Sequence, residues 1–365
     1  MSWQALYRRY RSRRFGDVVG QEHVVTALRN AVRDGRVGHA YLFSGPRGTG
    51  KTSCARILAK ALNCERPVEG EPCLTCDSCV AVEAGTSYDV HELDAASNNG
   101  VDSMRDLIAK ASLGTPGRVK VYILDEVHML SAAAAASLLK TLEEPPAHVI
   151  FVLATTDPQK VLPTIRSRTQ HFAFSLLPAD ALETHVRWII DDAGLDVTPD
   201  PDGVVAHVLR VGGGSARDTL SALDQVVAGG MDDHAGEVDA LLAGLLAREP
   251  GAVLAAVHQA TVAGRDPKVL GQALVGRLRD TFLQSLGVPL DHLPQEDRER
   301  VAVLAERVDR PFLTRSLEVI GKALVAMRDA ADPRITLETA LVRLADVTAD
   351  LSPAALLERI ERLER

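Results

Sequence analysis

The chain has 365 residues, an ordinary apolar share of 46% and a net charge of −8. That length holds two or three domains with a well-buried core, and the acidic balance excludes a surface coated for nucleic acid while leaving room for one basic patch. No apolar run approaches the roughly 20 residues that cross a bilayer, and the opening MSWQALYRRYRSRRF lacks an apolar core of signal-peptide length, so a cytoplasmic protein with reduced thiols is expected.

In chain order, the basic run RRYRSRR reads as a solvated or nucleotide-adjacent segment. Apolar runs at 39–45, 89–95, 120–126 and 148–156 predict strands buried on both faces, with a fifth at 170–175. Helical patterns between them predict right-handed crossovers and a parallel sheet. Beyond about Pro178 the strand signal ends. Residues 180–230 predict a small helical unit with loops at DVTPDPDG and VGGGS, and the chain is helical again from about 235. Phe312, Leu313, Leu317, Ile320, Leu324 and Met327 recur at helical spacing. A helix is expected to start at Pro333, where proline suits the first turn, and the closing SPAALLERIERLER is amphipathic. No internal repeat stands out.

GPRGTGKT, 45–52, lies between a predicted strand and a predicted helix, the setting that the phosphate-loop pattern requires. The cradle runs through Gly45, Pro46, Arg47, Gly48, Thr49 and Gly50, every residue but the proline offering a backbone N–H, with glycines where the chain must bend sharply. Lys51 is placed to reach the β- and γ-phosphates and Thr52 to ligate Mg²⁺, at a helix N-terminus that favours anions. The strand KVYILDE ends in Asp125 and Glu126, expected to hold Mg²⁺ and to polarise the attacking water. One strand-and-helix unit separates the two motifs, which fits an ATPase better than a kinase or GTPase. DEVH also matches the D-E-x-H box of helicases, but the helical remainder leaves no room for a second motor domain.

Four of five cysteines follow the spacing Cys64-x8-Cys73-x2-Cys76-x2-Cys79. Four thiolates suffice for tetrahedral zinc. Iron–sulfur ligation uses similar runs, and a thiol or disulfide reading also remains. With all positions filled by protein the site is structural, stapling an insertion to the far end of the phosphate-loop helix, with VEGEP as a flexible turn. Cys54 reads as a small core residue.

Several polar groups are candidates to finish the site. Thr155 and Thr156 end the strand FVLATT and either sense a γ-phosphate or cap the strand. Ser215 is expected to cap a helix, with Asp218 completing a box. This places Arg217 in a first turn that disfavours cations, where it is either a phosphate ligand or a solvated arginine. Arg166 and Arg168 in TIRSRTQ are candidates for an arginine supplied to a neighbour's nucleotide.

YLFSGPRGTGKTSCARILAKALNC, HELDAASNN, KVYILDEVHMLS, LLKTLEEPPAHVIFVLATTDPQK and GSARDTLSALDQ together resemble the bacterial DNA polymerase III gamma/tau family, densely over the first 230 residues and more weakly through ADPRITLETALVRL. The resemblance implies an α/β AAA+ P-loop ATPase domain with a parallel sheet and a zinc insert (1–178), a helical lid (179–235) and an all-α collar (236–365). It implies an ATPase motor of the clamp loader, which opens a sliding clamp and loads it onto primed DNA. ATP, Mg²⁺ and Zn²⁺ are its cofactors, and any polymerase label belongs to the holoenzyme. Implied partners are other copies of the chain, the delta and delta-prime subunits, the beta sliding clamp and primed DNA. The single-stranded DNA-binding protein, the polymerase core and the replicative helicase would be reached through a tail beyond Arg365. A nucleotide-gated scaffold with little hydrolysis of its own and an unwinding or branch-migration motor are the competing readings.

Carried over by residue, Thr155 looks like sensor 1, Arg217 like sensor 2 acting in cis, and Arg168 like the finger acting in trans, in Ser167-Arg168-Thr169 where the family has Ser-Arg-Cys. Val18 and Val19 look like the adenine-side box, preceded by Arg11-Ser12 in place of Arg-Pro. Arg105, Lys140 and Thr164 are the candidate DNA contacts. Asn98-Asn99-Gly100 lacks the basic residue that relatives carry there.

Overall fold

The computed structural model describes residues 4–346, apart from 112–113, 116, 199, 230–234 and 292. The closing amphipathic stretch that begins at Ser352 lies outside them. The chain divides into two compact units, Met1–Gly230 and Met231–Arg365.

The first unit runs α1 (Leu6–Arg9), a 3-10 turn (Phe15–Asp17), α2 (Glu22–Arg33), β1 (Ala40–Ser44), α3 (Lys51–Asn63), α4 (Asp77–Ala84), β2 (Val90–Asp94), α5 (Val101–Ala111), β3 (Lys120–Asp125), α6 (Ala132–Glu143), β4 (Val149–Thr155), α7 (Pro163–Arg166), β5 (Gln170–Ala173), α8 (Ala179–Ala193), α9 (Pro201–Gly212) and α10 (Ala216–Gly229). The five strands form one sheet in the order β2-β3-β4-β1-β5, with every pairing parallel.

Strand periodicity sorts the apolar side chains into two cores. Tyr41, Phe43, Val121, Ile123, Ile150 and Val152 face Val24, Leu28, Ile57 and Leu58 of α2 and α3. Leu42, Tyr122, Leu124, Phe151 and Leu153 face Met104, Leu107, Leu138 and Leu142 of α5 and α6. Helix α3 forms because Ala, Leu and Lys favour helix, and its Cys54, Ile57, Leu58 and Ala61 fall on one buried face. Burial of each large aliphatic side chain there stabilises by roughly 2 kcal/mol.

All five predicted strands are present. The expectation of burial on both faces holds for β1 and β4 and for β3 up to its last residue, but not for β2; β5, expected only as a strand, is also largely exposed. Those two are the sheet's edges, with one neighbour each, so their polar residues reach solvent.

Helices α8, α9 and α10 share a third core of Leu182, Val186, Val205, Val208 and Leu223, into which Leu6 of α1 inserts. Asp200 caps α9 by accepting from Gly203 N, with Pro201 in the first turn. The predicted loop DVTPDPDG is therefore helical from Pro201.

The second unit is helical in its described residues: α11 (Ala235–Ala247), α12 (Pro250–Val262), α13 (Pro267–Ser285), α14 (Gln295–Arg307), α15 (Arg310–Ala326) and α16 (Pro333–Ala345). Phe312, Leu313, Ile320 and Met327 are buried in its core, with Leu317 and Leu324 packed against it. Pro333 opens α16 as predicted, after Asp332, whose side chain accepts from Arg334 N.

Candidate functional site

The loop after β1 is bent by Gly45, Gly48 and Gly50, all at positive φ. A Cβ at Gly48 would fall 2.0 Å from Ser215 Oγ, and one at Gly45 would fall 2.1 Å from Phe174 O. The loop therefore lies against both β5's exit and the start of α10. A cleft of 530 Å³ opens beside it, within the size range of ligand sites. Its walls include Val18, Val19, the loop from Arg47 to Thr52, Asp125, Glu126 and Arg217. Gly45 and Pro46 instead turn their carbonyls to Lys51 Nζ, at 2.7 Å each. Burial pulls the Lys51 ammonium below its ordinary value, opposed by Glu126 and Asp125.

The loop after β1 and the end of β3 line this cleft, and β4 lies between those two strands in the sheet. Thr52 Oγ1 donates to Asp125 Oδ2 at 2.8 Å, a hydroxyl–carboxylate pair of the kind that shares a hard cation. Glu126 adopts φ +50, the left-handed region, which costs a non-glycine residue on the order of 1–2 kcal/mol. Its Oε2 accepts from Thr156 N at 3.2 Å and Thr156 Oγ1 at 2.9 Å, and lies 3.3 Å from His128 Nδ1. Thr155 is fully buried. Its hydroxyl lies 2.9 Å from His128 Nδ1 and accepts from Asp157 N, so of the two threonines it is Thr156 that reaches the glutamate.

Ser215 caps α10 by accepting from Asp218 N at 3.2 Å. The expected box is only half made, because Ser215 N donates to Gly212 O instead. Arg217, in that first turn, lies with its guanidinium 4.9 Å from the ring centre of Tyr7, another wall of the cleft. Arg168 is not a wall of this cleft. It pairs with Glu143 Oε1 at 2.5 Å and donates to Thr164 O at 2.8 Å. Arg166 is exposed, as are Arg105, Lys140 and Thr164 on α5, α6 and α7, and α6 packs against both of the other helices.

The four clustered cysteines bring their sulfurs within 4.8 Å of one another. Tetrahedral zinc, with Zn–S near 2.3 Å, spaces its sulfurs by about 3.8 Å, so the donor set fits that ion. Cys73 N donates to Cys64 Sγ and Cys76 N to Cys73 Sγ, at 3.2 and 3.3 Å, and Leu74 takes φ +65 to turn the knuckle. Hydrogen bonds from Thr75 and Cys76 pull the Cys73 thiol down to about 6, whereas burial pushes Cys64 and Cys79 up. Cys64 caps the C-terminal end of α3. It is thus one helix length, about 20 Å, from the loop. Cys54 is wholly buried in the sheet core, as expected.

VEGEP makes the expected turn, and makes it as a defined hairpin. Val68 and Glu71 pair as a two-residue hairpin, with Glu69 and Gly70 at φ +51 and +81, the signs a type I′ turn needs. A Cβ on Gly70 would fall 2.3 Å from Arg29 O, so the hairpin tip is seated on α2.

Tyr7, Tyr10, His185, Glu92 and Asp94 also line the cleft and were not singled out from sequence. They come from α1, α8 and β2, which only folding brings together. His128 was legible only as part of DEVH.

A family model described as DNA polymerase III, delta subunit, matches residues 20–178. A second, DNA polymerase III subunits gamma and tau domain III, matches 225–360. DNA polymerase III subunit gamma/tau of Mycobacterium tuberculosis is 43% identical over 99% of this chain and 66% of its own length. Subunit tau of Bacillus subtilis is 39% identical over 100% of this chain and 68% of its own length, so the chain spans about two thirds of these relatives. Escherichia coli subunit tau is 48% identical over 63% of this chain and 36% of its own length. Among solved structures, the Thermotoga maritima RuvB Holliday junction branch migration motor is 16% identical with a TM-score of 0.45, covering 96% of this chain and 91% of that one, a likeness too distant to carry an argument about function. With a phosphate loop on a parallel sheet of AAA+ type and relatives at this level over its whole length, the chain belongs to the DNA polymerase III gamma/tau family.

Proposed function

We propose that this chain is an ATP-hydrolysing motor subunit of the DNA polymerase III clamp loader, a cytoplasmic machine that opens a sliding clamp and places it on primed DNA. The observation that carries the reading is the meeting of Lys51, Thr52, Asp125 and Glu126 in one cleft, in a member of the gamma/tau family. ATP is held by the loop from Gly45 to Thr52, with Val18 and Val19 on the adenine side. Lys51 balances charge on the β- and γ-phosphates, and Thr52 and Asp125 hold Mg²⁺. When bound, Mg²⁺ neutralises phosphate charge as the terminal group leaves. Glu126 polarises the attacking water, steadied by Thr156 and His128. Thr155 acts as sensor 1 through His128, and Arg217 contacts the terminal phosphate in cis.

Arg168 completes the site of a neighbouring subunit. Its pairing with Glu143, away from the walls of its own cleft, supports that role. The same observation favours a second reading, a nucleotide-gated scaffold with little turnover by itself, to the extent that the chain is assayed alone. Cys64, Cys73, Cys76 and Cys79 hold a structural zinc, whose closed ligand shell contributes folding energy rather than chemistry.

The proposed parts are an ATPase domain at 1–178, a lid at 179–235 and an oligomerising collar at 236–365. Partners are further copies of the chain, the delta and delta-prime subunits, the beta clamp and primed DNA, touched through Arg105, Lys140 and Thr164. Where the chain continues past Arg365, the further partners proposed for that tail are the single-stranded DNA-binding protein, the polymerase core and the replicative helicase. ATP turnover measured with and without delta subunits, clamp and primed DNA tests the reading. Turnover should rise with all three present and vanish in Lys51→Ala. Strand displacement by the chain, or turnover indifferent to clamp and DNA, would overturn it.

A further inference from the structure

Glu71 belongs to the cysteine module, yet both of its carboxylate oxygens are given to another part of the chain. Oε2 accepts from Phe15 N at 2.8 Å and Oε1 from Gly16 N at 3.0 Å. These are the leading N–H groups of the 3-10 turn Phe15–Asp17, which have no partner inside such a turn. A carboxylate there makes two charge-assisted bonds at the positive end of the turn.

The turn itself is not a wall of the cleft, but it joins two stretches of chain that are. Tyr10, Arg11 and Ser12 before it, and Val18 and Val19 after it, all line the cleft. Upstream the same segment is pinned to the helical subdomain, where Leu6 N donates to Asp224 Oδ2 at 2.9 Å. Downstream it is pinned to the cysteine module. Glu71 holds the turn there, and Glu83 of α4 reaches Arg13 at 3.7 Å while binding the buried Lys60 of α3 at 2.7 Å. Glu71 is also fixed from behind. It closes the hairpin with Val68, its neighbour Gly70 abuts Arg29, and two residues later Cys73 joins the sulfur cluster.

We infer that Glu71 is a positioning residue that couples the cysteine module to nucleotide affinity: a filled metal site fixes the hairpin, the hairpin fixes Glu71, and Glu71 holds the turn that sets the wall residues on either side of it, Arg11, Ser12, Val18 and Val19, in their binding arrangement. This rests on the reading of the cleft as a nucleotide site and adds a role to a module otherwise assigned only to folding.

The test uses the full chain as wild type, Glu71→Ala and Glu71→Gln. Three quantities are read: bound metal by elemental analysis, hydrogen exchange at the Phe15 and Gly16 amides without nucleotide, and the Kd of a fluorescent ATP analogue with Mg²⁺. Glu71→Ala should keep its metal, exchange those amides faster and bind nucleotide about tenfold more weakly, the equivalent of one charge-assisted hydrogen bond. Glu71→Gln, which keeps one acceptor, should fall between. Wild type stripped of metal by a chelator should resemble Glu71→Ala. Unchanged exchange and affinity in a metal-retaining Glu71→Ala overturns the inference. So does loss of metal in that variant, which would make Glu71 part of the module's own fold. If wild type and Lys51→Ala bind nucleotide equally poorly, the cleft reading is what has failed, and the exchange rates alone then decide whether Glu71 holds the turn.

Discussion

The guanidinium of Arg168 is bound to Glu143 Oε1 at 2.5 Å, so this arginine, two residues past α7, is anchored on the end of α6 rather than on the cleft of its own chain. Removing it should leave ATP binding by the isolated chain unchanged, while turnover in the assembled loader falls about a thousandfold, the usual scale for a supplied arginine. Glu143→Gln should cost only about two- to fivefold, because the pair is half-exposed and such bridges are worth about 1 kcal/mol or less. Titration calorimetry and steady-state turnover separate the two quantities. A loss of ATP affinity in isolated Arg168→Ala would argue that the residue acts in cis.

Glu126 is held in a left-handed conformation with one carboxylate oxygen on Thr156. Glu126→Gln should bind ATP as wild type does and hydrolyse it at least a hundredfold more slowly, the effect of removing a general base. Thr156→Val, which keeps the backbone donor, should slow turnover about tenfold with little change in KM. An equal rise in KM would place Thr156 in binding instead.

Gly48 lies against Ser215 at positive φ, where a methyl group has no room. Gly48→Ala should push the loop away from the start of α10 and weaken nucleotide binding tenfold or more, with the far-UV circular dichroism of wild type. Wild-type affinity would show that the loop and α10 are not in register during binding.

The cysteines should separate by reactivity. Burial pushes the Cys54 thiol up to about 12. At pH 8 it is therefore about 10⁻⁴ thiolate and a poor nucleophile. The Cys73 thiol, pulled down to about 6, is mostly thiolate at that pH once metal is removed. Alkylation of chelator-treated protein, followed by peptide mass spectrometry, should mark Cys73 first and leave Cys54 until the chain unfolds. Labelling of Cys54 at the rate of Cys73 in folded protein would contradict its place in the core.

Much of this was legible because it is local. The strand–loop–helix run at 39–63 carries its own apolar pattern and glycines, and the cysteine spacing brings its ligands within reach of one ion. The strands β3 and β4 announce themselves because central parallel strands are buried on both faces. What was not legible depends on contacts between distant residues. Glu71 meets Phe15 across 56 positions, and Glu126 meets Thr156 across 30. No spacing rule joins them, since the fold itself creates the proximity. The turn in VEGEP was legible but its type was not. A type I′ turn is usually signalled by Asn-Gly or Asp-Gly, and Glu69-Gly70 reaches the same conformation with a residue that rarely enters it. The exposure of β2 is not legible because apolar runs do not say which strands are edges.

The most direct measurement mixes two inactive subunits. Lys51→Ala chains, which cannot hold ATP but keep Arg168, are assembled together with Arg168→Ala chains, which hold ATP but lack the finger, in the presence of delta subunits, clamp and primed DNA. If each reaction centre is finished by the protomer beside it, mixed assemblies should regain a clear part of wild-type turnover while neither variant alone does. Turnover in the mixture no higher than the average of the two variants would contradict a shared site.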